Sequence, residues 1–593
     1  MQNPLQFYES EKQVYEIELS SLKKKLATSS TLRLFVFLGT ILGVYFFFNN
    51  VGIAIGFAIV GISIFLYLIS KHIDLQYKKN LTKALLKINK TEILVLNRDY
   101  FDLDDGKEFI DPAHPYSVDI DLFGQGSFFQ YCNRTVINEG KKKLVKNLLE
   151  NDISNIENKQ ESIKELAQMP KWRQHFSAVA SLARVQYSAK LIVDWIHNYH
   201  SVFPQFLSFL PLIFSSISIL IGVLVGMNLI NFQVLVAWFF LGLGYSAFYL
   251  KKVNKLYENA TKIKDTFSQY HKLLDKIETA DFSSKILKEK QQEIRGESQK
   301  ASIIFSQFSK ILDALDQRNN LLIAFIANGF LLRDLKISSN VEKWIKNYQH
   351  QVEKWFEVIS FFDAENSLSN YAFNHPKSIY PIIQANEISI EAKNLGHPLI
   401  RQDLRIDNDF LIKNQEFYII TGANMAGKST FLRTVSLSIM MANIGLPVCS
   451  SSFIYSPIKL ITSMRTSDSL AKDESYFFSE LKRLKFIVDA INPKVNGEKY
   501  FIILDEILKG TNSTDKAIGS KKFVAKLVAS HSTGIIATHD LSLCEIEKDL
   551  TQIKNYYFDA EIIDDELHFD YQLKKGICKN MNASFLLKKM EII

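Results

Sequence analysis

The sequence predicts a multidomain chain with an α/β domain at the C-terminus, an all-α middle part and two apolar helical hairpins. Three observations carry this prediction. Two long blocks contain no charged residue. The sequence between and after these blocks has a helical pattern, and from about Ala385 short apolar strands alternate with helices. At 593 residues the chain exceeds the roughly 250–300 residues at which a single core stops growing, so several units must share it.

The two uncharged blocks predict transmembrane hairpins. The first runs from Leu34 to Ser70 and is broken by Asn49-Asn50, and the second runs from Ser201 to Leu250 and is broken near Gly226–Asn231. A spanning helix needs about 20 apolar residues, so each block has room for two helices and a tight turn. The alternative is a set of helices buried in a soluble core, but core helices seldom run this long without charges on a wet face.

Lysine and arginine residues flank the hairpins, whereas the turns are uncharged. Lys23–Lys25 and Arg33 precede the first block, Lys71 follows it, and Lys251-Lys252 follow the second. The positive-inside rule therefore places both termini and the segment between the hairpins in the cytoplasm. We expect a multi-pass protein of the cell (plasma or inner) membrane. The polar stretch before the first block argues against a cleaved signal peptide.

Charge and cysteine content add little. The net charge of +7 is spread along the chain, which fits solvated surface and membrane flanks better than a nucleic-acid footprint. The four cysteines form no close pair, so they predict no metal site.

The helical part is predicted in three pieces around the hairpins. Residues 1–116 carry the first hairpin, residues 117–200 begin a core, and residues 251–385 form core and lever helices after the second hairpin at 201–250. Trp344 and Trp355 lie on the last of these helices. A base-stacking platform is conceivable for them, but packing between helices is favoured.

The C-terminal domain, predicted over residues 386–593, is organised around a glycine loop. The apolar run Phe417–Thr421 precedes the loop and helix-forming residues follow it, which is the context of a P-loop, G-x-x-x-x-G-K-[ST]. Such a loop binds nucleotide phosphates with its backbone N–H groups, while its lysine reaches the outer phosphates and its serine contacts Mg²⁺. The predicted nucleotide-binding residues are Gly422, Ala423, Asn424, Met425, Ala426, Gly427, Lys428, Ser429 and Thr430.

Two further apolar strands end in polar residues that complete this chemistry. Tyr500–Leu504 leads to Asp505 and Glu506, and Ile535–Thr538 leads to His539. We expect Asp505 to hold Mg²⁺ together with Ser429, and Glu506 to polarise the attacking water. His539 is the candidate sensor of the γ-phosphate, although an isolated histidine of this kind is more often structural. Glu506, His539 and Lys428 are the predicted catalytic residues.

These motifs resemble those of the MutS family in sequence and order. Thr421–Thr430 resembles T-G-P-N-M-G-G-K-S-T, Asp505–Asp515 resembles D-E-I-G-R-G-T-S-T-x-D, and Ser475–Glu480 resembles S-T-F-M-x-E. Val118–Gly124 followed by Asn133–Thr135 resembles the entry to that family's core, a structural segment. The resemblance implies a P-loop ATPase domain of the ABC/MutS type, with ATP and Mg²⁺ as cofactors.

The resemblance also implies a homodimer with composite ATP sites. Ser475 matches the signature serine, which would reach the γ-phosphate held by the partner subunit, while Asn424 would contact phosphates in its own subunit. The adenine pocket of the family uses an aromatic residue and a histidine. Their positions correspond by spacing to Arg405 and Tyr571, and both side chains can stack on a base.

The N-terminal part departs from the family. Membrane hairpins occupy the places where a mismatch-reading domain and a DNA clamp are expected. We therefore predict a membrane-anchored MutS-type ATPase that couples ATP hydrolysis to lever movement, with membrane lipid as a partner and DNA as a possible one. Two alternatives stay open: an ABC-like membrane ATPase, which the missing L-S-G-G-Q signature disfavours, and an ATP-switched scaffold without a DNA role.

Overall fold

The computed structural model describes residues 3–182, 189–296, 299–385, 387–465, 476–492, 498–508, 512–563 and 566–578. Helices make up the chain before residue 382, and strands begin there. The helices are α1 (Pro4–Phe46), α2 (Val51–Leu96), α3 (Phe128–Cys132), α4 (Asn138–Leu149), α5 (Ile156–Ala167), α6 (Pro170–Ser181), α7 (Ala189–His197), α8 (Leu210–Gly226), α9 (Phe232–Phe248), α10 (Leu250–Thr279), α11 (Lys285–Gln292), α12 (Ala301–Asp316), α13 (Leu321–Leu331), α14 (Arg333–Asn374), α15 (Lys428–Asn443), α16 (Tyr476–Ala490) and α17 (Ser513–Ala529).

The first apolar block folds as the sequence predicts, inside two much longer helices. Asn3 caps α1 by accepting a hydrogen bond from Leu5 N at 3.1 Å, and α1 then continues without a break into the apolar block. The chain turns at residues 47–50, and Asn50 caps α2. Both helices are long and apolar enough to cross a membrane, and their most apolar stretches are not buried by the protein.

The second apolar block also forms a helix pair, but its helices are short. Helices α8 and α9 have 17 residues each. Each is therefore about 26 Å long, slightly less than the thickness of a bilayer core. Helix α9 continues into α10 after a bend of 62°, and the two pass as one candidate span by length and composition.

Helix α14 is the long helix for which the sequence predicts a lever role. It has 42 residues, which gives a length of about 63 Å. Trp344 is buried and stacks on Phe308 with ring centroids 3.7 Å apart, and Trp355 is buried as well. These tryptophans therefore pack in the helical core, as the core interpretation predicted.

The C-terminal end of α14 is joined to both helices of the first hairpin by buried polar contacts. Tyr8 OH on α1 donates to Asn374 Oδ1 at 2.8 Å. Glu92 on α2 accepts a hydrogen bond from Asn374 Nδ2 at 2.7 Å and pairs with Arg134. Because a buried carboxylate is stable only when it is paired, this cluster fixes α1 and α2 against the end of the lever.

The α/β domain contains twelve strands in the described residues. The strands are β1 (Ile382–Ile383), β2 (Ile388–Leu395), β3 (Asn408–Lys413), β4 (Phe417–Gly422), β5 (Ser452–Tyr455), β6 (Lys459–Ser463), β7 (Tyr500–Asp505), β8 (Thr533–Ala537), β9 (Ile553–Phe558), β10 (Glu561–Ile563), β11 (Glu566–His568) and β12 (Leu573–Lys575). The larger sheet is mostly parallel and has the order β12-β9-β4-β8-β7-β6. A second sheet has the order β1-β5-β2-β3, and β10 pairs with β11.

The register of the central strands positions the candidate site. Strands β4, β8 and β7 are parallel neighbours, with Ile420 opposite Ala537 and Ala537 opposite Asp505. All residues of β4 and β8 are buried, as expected for strands covered on both faces. The ends of these strands, at Gly422, Asp505 and Ala537, therefore lie side by side at one edge of the sheet.

Candidate functional site

The glycine loop connects β4 to α15 through backbone conformations that favour glycine. Gly422 has φ 149° and Gly427 has φ 100°, and Gly427 is the N-cap residue of α15. A Cβ atom on Gly422 would lie 2.7 Å from Phe558 O, so a side chain does not fit there. The loop thus presents backbone N–H groups at the N-terminus of a helix, the arrangement that attracts anions.

Lys428 is turned inward along this loop. Its side chain is buried, and Nζ donates to Gly422 O at 2.8 Å and to Ala423 O at 2.9 Å. Burial lowers the pKa of Lys428, while the nearby carboxylates of Asp505 and Glu506 oppose this shift. The loop carbonyls therefore hold the Lys428 ammonium group beside the backbone that would bind the phosphates.

Asp505 and Glu506 follow β7 and face the start of α15. Ser429 Oγ donates to Asp505 Oδ2 at 2.8 Å. Glu506 has φ 54°, a left-handed conformation that is uncommon for a side chain of this size, and its N–H donates to Ala537 O at 2.9 Å. Strained residues of this kind cluster at functional sites.

His539 contacts the same carboxylate. Its Nε2 lies 2.9 Å from Glu506 Oε1, and each side chain is about one quarter exposed, at 28%. The histidine reaches this position because β8 ends two residues earlier, beside β7. Glu506 and His539, two of the three predicted catalytic residues, thus form a pair at the mouth of the glycine loop.

The loop, both carboxylates and His539 line one cavity of about 490 Å³. This volume lies within the range of small-molecule sites, roughly 300–1,000 Å³. Among the loop residues, Asn424, Met425, Ser429 and Thr430 are exposed, whereas Ala426 is buried. Sequence reasoning missed the apolar part of the wall, which is formed by Leu395, Ile400, Leu404, Ile406, Phe431 and Phe558.

Arg405 and Tyr571, the two candidates for base stacking, also line this cavity. Arg405 Nη2 donates to Asp407 Oδ2 at 3.0 Å, so its guanidinium is held by a neighbouring carboxylate. The ring of Tyr571 lies over the loop, with Cδ1 3.0 Å from where a Cβ on Gly427 would be. Asn408 Nδ2 donates to Tyr571 O at 3.0 Å and fixes this segment.

Ser475, the predicted signature serine, lies outside the described residues. Within the described residues, no group of three or more His, Cys, Asp or Glu side chains is placed to hold a metal ion by itself. Oxygen ligands from Ser429 and Asp505 nevertheless suit a hard cation such as Mg²⁺, which binds through few protein ligands together with substrate phosphates.

The core segment Val118–Gly124 contacts the α/β domain, which the sequence did not reveal. Asp119 accepts hydrogen bonds from Thr462 Oγ1 at 2.6 Å and Arg465 N at 2.8 Å. The side chain of Arg465 also donates a hydrogen bond to Asp121, from Nη2 to Oδ2 at 2.9 Å. This segment therefore joins the helical core to the end of β6.

The fold and the site define a C-terminal α/β domain whose glycine loop faces a cavity with a buried lysine, two carboxylates and a histidine. Residues 418–589 match the family model of MutS domain V. Over this C-terminal part of its length, the chain is similar to the MutS family.

Curated relatives give the same result. The chain is 30% identical over 278 residues to the DNA mismatch repair protein MutS of Finegoldia magna, covering 45% of this chain and 30% of that protein. It is 34% identical over 194 residues to the DNA mismatch repair protein MutS of Aquifex pyrophilus (31% of this chain, 21% of that protein). It is 31% identical over 195 residues to the human MutS protein homolog 4 (31% and 20%). The matches thus span less than a third of the length of these relatives.

Proposed function

We propose that this protein is a membrane-anchored, Mg²⁺-dependent ATPase that works as a homodimer and transmits nucleotide-driven movement to its lever helices. One observation carries the proposal. Three neighbouring strand ends bring five polar side chains to one cavity at a helix N-terminus, namely those of Lys428, Ser429, Asp505, Glu506 and His539. This set supplies what phosphoryl transfer to water needs, namely phosphate binding, a metal position and a base.

In this proposal, each residue has a distinct role. The backbone N–H groups of residues 422–428 and the Lys428 ammonium hold the β- and γ-phosphates of ATP. Ser429 and Asp505 hold Mg²⁺, which neutralises charge on the phosphates. Glu506 accepts a proton as the water oxygen bonds to the γ-phosphorus and the bond from that phosphorus to the β,γ-bridging oxygen breaks. His539 orients the Glu506 carboxylate and donates to the transferred phosphate.

The dimer follows from the family resemblance at Ser475. In a composite site, this serine of one subunit would contact the γ-phosphate bound by the other, so that ATP closes the dimer. Arg405 and Tyr571 would contact the adenine. Closure would move the α/β domain against the core through the Asp119 and Arg465 contact, and from there act on α14.

The proposed membrane location rests on α1 and α2. Their long apolar stretches are exposed on the protein, and contact of so much apolar surface with water is unfavourable, whereas contact with lipid acyl chains is not. The flanking lysines favour a cytoplasmic location for the α/β domain and the core. The protein would therefore be a multi-pass protein of the cell membrane, with lipid as a permanent partner.

DNA is the proposed effector because the curated relatives are named DNA mismatch repair proteins. The test measures phosphate release by the full-length protein in liposomes, with ATP and Mg²⁺, alone and with matched, mismatched or branched DNA at stated salt concentrations. Hydrolysis without any DNA effect would remove DNA from the proposal. Nucleotide binding without hydrolysis would replace the ATPase with an ATP-switched scaffold.

A further inference from the structure

Helix α13 is an apolar helix in a part of the chain that the sequence predicted to be soluble. From Asn319 to Leu332 there is no Asp, Glu, Lys or Arg, and Arg318 and Arg333 stand on either side. The helix has 11 residues, so it is about 16 Å long, close to half of the roughly 30 Å hydrocarbon core of a bilayer. Apolar runs of this length belong either to core helices or to membrane segments that enter without crossing.

The outer face of α13 leaves apolar side chains exposed, which argues against a core helix. Phe325 is 53% exposed and Ile326 is 58% exposed. A core helix buries its aromatic and branched side chains, and an interior packed to normal density leaves no such residues open. The helices α8 and α9, on which α13 packs, also expose apolar side chains, with Leu220 and Phe240 56% and 61% exposed.

The inner face of α13 is seated closely on α9. A Cβ on Gly242 would lie 2.2 Å from Gly329 O, so the two backbones meet where both residues lack a side chain. The ring of Phe239 lies 5.0 Å from the ring of Phe330, and it also reaches Phe325, the partly exposed residue beside this face, at 5.2 Å. Contact through small residues is the usual way in which helices associate within membranes.

A side chain of α8 bonds one of the C-terminal carbonyl groups of α13. Ser218 Oγ donates to Phe330 O at 2.6 Å, whereas Ser215 Oγ donates to Pro211 O of its own helix at 2.6 Å and lies 3.5 Å from Leu331 O. Trp238 Nε1 donates in turn to Ser218 Oγ at 2.8 Å. The last four carbonyls of a helix lack partners within the helix, and in a hydrocarbon environment only other protein groups can supply them.

Charged residues mark the place where the chain leaves this apolar cluster. Arg318 Nε lies 3.4 Å from Asp334 Oδ2, and Arg333 Nη2 donates to Ala314 O at 2.9 Å. Charges belong at the membrane boundary rather than within it. Because α14 starts at Arg333, the lever begins directly after α13.

We propose that α13 is a short membrane-embedded helix that docks on the α8–α9 hairpin and is covered on its outer face by lipid acyl chains. The lever α14 therefore starts at the membrane surface, and the hairpin and α13 form one embedded unit at its end. This inference rests on the proposed membrane location of α8 and α9.

The test uses the unmodified full-length protein in liposomes that contain phosphatidylcholine with a diazirine near the end of one acyl chain. After illumination, trypsin cuts at Arg318 and Arg333 and releases α13 as the peptide Asn319–Arg333. Leu191–Lys251 carries the hairpin, and Ile337–Lys343 from α14 is the aqueous control. We expect lipid adducts on the α13 and hairpin peptides and none on the control.

The outcomes separate the two proposals. Adducts on the hairpin peptide but not on Asn319–Arg333 would overturn the inference, whether water or a second protein copy covers α13. Absence of adducts from both peptides would instead overturn the membrane location itself. As a matched pair of variants, Ile326→Glu should abolish adducts on α13 and leave those on the hairpin unchanged, whereas Lys310→Glu on the exposed side of α12 should change neither.

Discussion

Replacing Glu506 with glutamine tests the proposed chemistry most directly. Glutamine keeps the size of the side chain but removes the negative charge that receives the proton from water. A positioned general base contributes roughly 10²–10⁴-fold to a rate, so the variant should lose about 3–5 kcal/mol of transition-state stabilisation. ATP affinity should stay within a few-fold of the parent value, because the contacts made by Lys428 and the loop are unchanged.

Two assays separate these effects. Phosphate release under saturating ATP gives the rate, and binding of a fluorescent ATP analogue gives the affinity. The Glu506→Gln variant should also accumulate as an ATP-bound closed dimer, detectable by sedimentation. A rate equal to that of the parent protein would show that Glu506 is not the base.

The contact between Glu506 and His539 at 2.9 Å adds a double-mutant test. If the histidine acts by orienting the carboxylate, His539→Asn should slow hydrolysis in the parent but have little further effect on Glu506→Gln. Independent, multiplying effects would contradict the paired role and leave His539 acting on the phosphate alone.

Three further predictions concern the metal position, the loop and a buried carboxyl. Ser429→Ala removes the hydroxyl that bonds Asp505, so the Mg²⁺ concentration for half-maximal hydrolysis should rise about tenfold or more, while Ser429→Thr should restore it. Gly422→Ala places a methyl group against Phe558 O and should reduce both ATP binding and melting temperature. Burial raises the pKa of Glu365 to about 7, so the folded protein holds this proton more tightly than the unfolded chain does, and the free energy of unfolding should fall as pH rises from about 4.5 to 7. Glu365→Gln should weaken this pH dependence. In denaturant titrations at pH 8, this variant should be more stable than the parent protein.

The sequence was sufficient where a local pattern carries its own physical meaning. The uncharged block from Leu34 to Ser70, with its asparagine break, predicted the first hairpin and its turn. The glycine loop predicted the strand–loop–helix unit, and the acidic end of β7 predicted where Asp505 and Glu506 would meet it. In each case neighbours along the chain or parallel strand ends determine the geometry.

The sequence was insufficient where the decisive partner is distant in the chain. The run around α13 is too short to distinguish a core helix from a membrane helix, and only its contacts with Ser218 and Gly242 show what it packs against. The pairing of Asp119 with Arg465 joins positions 346 residues apart. No local pattern in Val118–Gly124 specifies that contact.

The anchoring of Tyr8 and Glu92 at the base of α14 has a mechanical consequence. Because α1 is a single helix of 43 residues, about 65 Å long, a rotation of about 5° at its anchored end displaces the far end by about 6 Å. A rotation about the hydrogen bonds around Asn374 would therefore have a long arm. Small rearrangements near the α/β domain would be amplified into shifts comparable to the width of a lipid chain.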